Sequence, residues 1–95
     1  MFVVLLKFSE NRSRASEFMD GHGQWLRQGF EDGVFLLAGS LQPDAGGSVI
    51  AHNTDLAELE ERVGRDPFVV ERVVEAEILE IEPKRTDERL SFLLS

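Results

Sequence analysis

The stretch "VFLLAGSLQPDAGGSVIAH", Val34 to His52, decides the architecture. "VFLLAGSL" and "GSVIAH" are rich in strand-forming residues, and "QPDAGG" between them gathers residues that favour bends. The pattern predicts a hairpin with a longer loop. On its N-terminal side, "ASEFMDGHGQWLRQGF" sets Ala15, Phe18, Met19, Trp25, Leu26 and Gly29 at spacings of three and four. That stripe predicts a core-facing helix from about Arg14 to Glu31, with Ser13 as N-cap and Gly33 closing it. Before it, "FVVLLKF" (Phe2 to Phe8) predicts a strand that is mostly apolar on both faces, so both faces need a cover.

On the C-terminal side, Thr54 is the expected N-cap of a second helix, with Asp55 in its first turn and Leu56, Leu59 and Val63 on its apolar stripe. Gly64 stops it, and "RDPFVVER" is a connection. "VVEAEILEI" is the fourth strand, where Val74, Ala76 and Ile78 alternate with Glu75 and Glu77, and Pro83 ends it. The order β-α-β-β-α-β is the split, ferredoxin-like arrangement of the α+β class: a four-stranded antiparallel sheet with both helices on one face. The other face would be a large apolar patch on a monomer. A homodimer, sheet against sheet, is the expected remedy. Residues 1–83 form one domain; the tail, 84–95, is expected to pack on the partner subunit.

Composition narrows the function classes. Of 95 residues, 42% are apolar and 29% charged, as in a soluble globular domain. Cysteine is absent, so disulfides and thiolate chemistry are excluded. A formal charge of −8 argues against nucleic acid and anionic membrane as partners. The longest apolar run, "FVVLL", is far below the roughly 18 residues of a membrane span. Met1 leads into the first strand with neither a basic stretch nor a cleavage site, and a cytoplasmic protein is expected. His22 and His52 show no metal-ligand spacing, and "AGGS" is too short for a phosphate loop, so neither a metal nor a nucleotide cofactor is expected.

A few polar groups look placed. His22 lies on the apolar stripe between Met19 and Leu26, flanked by Gly21 and Gly23. An imidazole there is either a core residue bonded to backbone or an acid/base group facing a pocket. In a helix each glycine costs about 1 kcal/mol relative to alanine, which makes sense where a backbone or ligand comes close. Asp66, followed by Pro67, is a good cap for a short helical turn, and it could equally orient His22. Ser40 follows Gly39 at the end of the second strand, where a hydroxyl could bond a ligand or cap a turn. His52 reads as a surface residue. Trp25 and Phe68 could line an apolar pocket or fill the core.

"HGQWL", "GVFLLAGSL", "DAGGSVI" and "DPFVVERVV", in this order and spacing, resemble the YciI-like (YCII-related) proteins from Phe2 to about Pro83. The resemblance implies a dimeric α/β barrel of ferredoxin-like protomers. It also implies an active-site pocket holding a His and an Asp, which map onto His22 and Asp66. Some of its members resemble small lyases or dehalogenating enzymes acting on aromatic or lactone-like compounds, and the wider superfamily holds muconolactone isomerases and cofactor-free monooxygenases. Ser40 stands where the family usually has Pro, and Arg72 where it usually has Gly. Arg72 would then narrow the pocket mouth or add a cation.

The combined expectation is a cofactor-independent lyase, isomerase or hydrolase acting on a small organic molecule. His22 and Asp66 would be catalytic, with Trp25, Gly39, Ser40, Phe68 and Arg72 binding substrate. The alternative is a non-catalytic dimeric module that binds a small molecule or a protein.

Overall fold

The computed structural model describes residues 1–94. Four strands, β1 (Phe2–Phe8), β2 (Phe35–Leu41), β3 (Gly46–Ala51) and β4 (Val74–Glu80), form one antiparallel sheet in the order β2-β3-β1-β4. Helices α1 (Ala15–Glu31) and α2 (Leu56–Val63) follow the first and third strands, and a one-turn helix α3 (Pro67–Val70) precedes β4. This is the expected α+β, ferredoxin-like order.

Local chemistry explains the element ends, and several differ from the sequence reading. Asp55, not Thr54, caps α2: its carboxylate accepts the Glu58 amide at 2.8 Å, while the Thr54 hydroxyl reaches only the Asp55 carbonyl at 3.4 Å. A carboxylate is the stronger acceptor at a helix start. Ser13 is not a cap either. It lies inside a 3₁₀ turn, Arg12–Arg14, that leads into α1, and Arg14 occupies the cap position without a side-chain bond. Gly33 takes the left-handed conformation at φ 74 and closes α1, as expected. The "RDPFVVER" connection contains α3, the short helical turn that the Asp66–Pro67 pair signals; a single turn shows no periodicity of its own.

The register assigns the two sheet faces. Phe2, Val4 and Leu6 of β1, with Val49 and Ala51 of β3, are buried beneath the helices. Phe35 of β2, Leu59 and Val63 of α2, and Phe68 of α3 complete this core. At Gly29 the fit is closest, since a Cβ there would lie 2.1 Å from the Phe35 ring. On the opposite face, register aligns Leu37, Ile50, Val3 and Leu79 in one row across all four strands. Leu37 and Leu79 are exposed.

After Pro83, residues Glu88–Leu94 make two short 3₁₀ turns that meet at a break at Leu90. Phe92 meets the His52 ring edge-on at 5.6 Å between centroids. The last residue of the tail, 95, lies outside the described residues.

Candidate active site

The site begins with a helix contact. A Cβ on Gly21 would stand 3.0 Å from the Pro67 ring, so α1 crosses the start of α3 at close range. That approach sets the next residue, His22, against Asp66. Gly23 has a different status: the nearest atom to a Cβ there is the Arg27 guanidinium at 3.8 Å. The glycines beside His22 therefore do not open space for a ligand. One admits Pro67, and the other faces no close neighbour.

Asp66 is the N-cap of α3, and its Oδ1 accepts the Phe68 amide at 3.0 Å. Its side chain is fully buried. The same carboxylate receives His22 Nδ1 at 2.9 Å on Oδ1 and 3.0 Å on Oδ2. Cap and imidazole partner, the two alternatives posed by the sequence, are thus one arrangement. An ionised carboxylate only accepts, so opposite it a neutral ring would carry its proton on Nδ1 and keep its lone pair on Nε2. His22 has no backbone carbonyl partner, and its Nε2 makes no hydrogen bond among the described residues.

Aromatic rings fix the imidazole plane. Phe68 stacks on it at 4.1 Å and 4° between planes, and Trp25 lies 5.8 Å away at 25°. Trp25 is itself tied down, since its Nε1–H donates to the Arg62 carbonyl at the end of α2 (2.9 Å). Between α1 and the sheet opens a cavity of about 370 Å³. Leu6, Phe8, Met19, Leu26, Val49 and Val74 supply its apolar walls, and His22 and Ser40 are polar groups on it.

Of the residues singled out in the sequence, His22, Gly39, Ser40 and Phe68 line this cavity, with Asp66 directly behind His22. Trp25 sits behind the imidazole rather than on the wall. Arg72 stands apart: it is exposed, pairs with Glu10 at 3.2 Å, and has φ 57 in the left-handed region. Glycine takes that conformation without strain, which accounts for the glycine that the family resemblance leads one to expect there. Sequence reasoning treated Met19 and Leu26 as core and did not single out Phe8. The signal for the first two was their place one turn either side of His22. Among the described residues no three His, Asp or Glu side chains gather as metal ligands, and no helix is long and apolar enough to cross a membrane.

The YCII-related domain pattern matches residues 1–82. Among solved structures, 5-chloro-2-hydroxyhydroquinone dehydrochlorinase from Burkholderia phenoliruptrix AC1100, in complex with 2,5-dihydroxybenzoquinone, is similar with a TM-score of 0.69. The likeness covers 88% of this chain and 96% of that one at 11% sequence identity, a likeness of fold. No protein of curated function matches the sequence.

Proposed function

As the chain belongs to the YCII-related domain family, we propose that it is a small homodimeric enzyme, cofactor-independent, in which His22 and Asp66 perform acid/base chemistry on a small organic molecule. The observation that carries this reading is the line from Asp66 through Nδ1–H of His22 to an Nε2 free of protein partners on a cavity wall. In that line Nε2 takes a proton from a bound C–H or O–H group, and the buried Asp66 carboxylate stabilises the imidazolium that forms. The same nitrogen returns the proton to product or leaving group. The ring stacking of Phe68 holds Nε2 in one direction, which favours a positioned transfer over a diffuse one. The fold shared with a dehydrochlorinase solved with a dihydroxybenzoquinone supports proton transfer or elimination on a ring compound.

The test is a panel of hydroxylated and halogenated ring compounds, followed by NMR for solvent deuterium uptake and by halide release. Positioned imidazole catalysis is worth roughly 10²- to 10⁴-fold in rate, so His22→Ala should lose activity on that order. Equal activity in His22→Ala protein removes the imidazole from the mechanism. A rival reading, a non-catalytic binding module, draws on the fact that capping alone accounts for Asp66. Asp66→Asn separates the two. An N-cap tolerates Asn with little loss of stability, whereas a carboxylate that supports an imidazolium does not.

The dimer joins the open sheet faces through the row Leu37, Ile50, Val3 and Leu79. The tail, with Leu90, Phe92 and Leu94 each about half exposed, extends that contact. Sedimentation at micromolar concentration should give a dimer, and a monomer there contradicts the assembly. Truncation after Lys84 should weaken dimerisation.

A further inference from the structure

Resting on the reading of this cavity as a ligand site, we propose that the ligand is an uncharged ring compound, and that Ser40 is the residue that selects it by bonding a polar substituent. Two walls define the recognition. The helix wall offers His22 Nε2. The sheet wall offers the Ser40 hydroxyl, which makes no hydrogen bond among the described residues and lines the cavity. The other serine of the lining, Ser48, is committed to the Val4 carbonyl at 2.9 Å.

Charge sets what the ligand cannot be. No lysine or arginine belongs to the lining. Three arginines on neighbouring turns are paired with carboxylates. Arg12 lies over the ring of the lining residue Phe8, 4.1 Å from its centroid, and pairs with Asp44. Arg14 pairs with Glu17, and Arg72 with Glu10. A carboxylate or phosphate entering these apolar walls would lose water without gaining a lysine or arginine partner. The net charge of −8 adds repulsion at long range. Volume sets the scale: about 370 Å³ is more than twice the roughly 150 Å³ that holds benzene, enough for a substituted or fused ring.

The experiment titrates the full chain with three probes under argon: hydroquinone, 4-methylphenol and 4-hydroxybenzoate. NMR reads dissociation constants from the Met19 methyl and the His22 ring. Hydroquinone should bind at least tenfold more tightly than 4-hydroxybenzoate. Ser40→Ala should weaken hydroquinone two- to tenfold, the worth of one hydrogen bond, and leave 4-methylphenol unchanged. Ser40→Thr, which keeps the hydroxyl, should retain hydroquinone binding. Equal or tighter binding of 4-hydroxybenzoate, or no binding of any probe at millimolar concentration, overturns the ligand class. Equal weakening of both phenols by Ser40→Ala, or of neither, overturns the role of Ser40. Failure here is distinct from failure of the catalytic reading. Binding needs no turnover, and a preference for the charged probe would stand beside intact loss of activity in His22→Ala.

Discussion

The covered face of the sheet is two regions of opposite character. Where β1 begins, Phe2, Phe35, Ala51, Leu59 and Val63 are packed to near-zero exposure, and Gly29 lies so close to Phe35 that no side chain fits between them. Where β1 ends, Phe8, Phe18 and Leu26 are only partly buried, Met19 is 52% exposed, and a cavity remains. The same helix, α1, serves both. Its C-terminal half brings Gly29 against Phe35, and its N-terminal half carries Met19 and His22 on the cavity, beside the Gly21–Pro67 contact and the His22–Asp66 bond. One end supplies packing, and the other keeps His22 and Ser40 on open space.

Truncation at each end is the strongest way to break that comparison. Leu59→Ala should cost about 2–5 kcal/mol, as for a fully buried leucine, while Met19→Ala should cost no more than about 0.5 kcal/mol. Urea unfolding of both variants checks it, and equal losses would erase the distinction. The glycines of α1 sharpen it further. Gly29→Ala forces a Cβ into the Phe35 ring and should lose about 1–3 kcal/mol. Gly23→Ala meets no obstacle and should gain up to about 1 kcal/mol from helix propensity. A thermal melt of the pair should move the midpoints in opposite directions.

Smaller effects lie outside both regions. Arg72→Gly relieves a left-handed arginine, and should gain about 0.5 kcal/mol after the greater chain entropy of glycine is subtracted. Because Arg72 lies off the cavity wall, phenol binding should not change. The smallest effect is at Asp32, beyond the end of α1. Hydrogen bonds from Gln28 first, and then from Arg62, hold its carboxyl below the usual carboxylate range. A depressed folded value gives stability that is present above the unfolded value, near pH 3.9, and is lost as pH falls through the folded one. The stability gap between wild type and Asp32→Asn should therefore be larger at pH 6 than at pH 3, and a constant gap would show no linkage.

Periodicity and turn chemistry made the strands, the two longer helices and their order legible, because each is written in local spacing. The one-turn α3 was legible only through its Asp66–Pro67 cap, and the choice of Asp55 over Thr54 was not legible, since a single bond decides it. His22 announced itself as an imidazole on an apolar stripe. Its distance to Asp66, 44 positions along the chain, is set by the approach of α1 to α3 and has no local signal. The residues themselves posed the pair as one of two alternatives, and the family resemblance favoured it. The stacking of Phe68 on His22 was invisible for the same reason, although both residues stood out.

The central claim is that Asp66 holds the proton on Nδ1 of His22 and so leaves the lone pair of Nε2 facing the cavity. Nitrogen-15 NMR of the histidine rings, recorded with the rings neutral in wild type and in Asp66→Asn, measures it directly. The account predicts Nδ1–H in the wild type. In the variant the asparagine amide donates to the ring, and the proton moves to Nε2. A wild-type ring protonated on Nε2, or the same tautomer in both proteins, would contradict it.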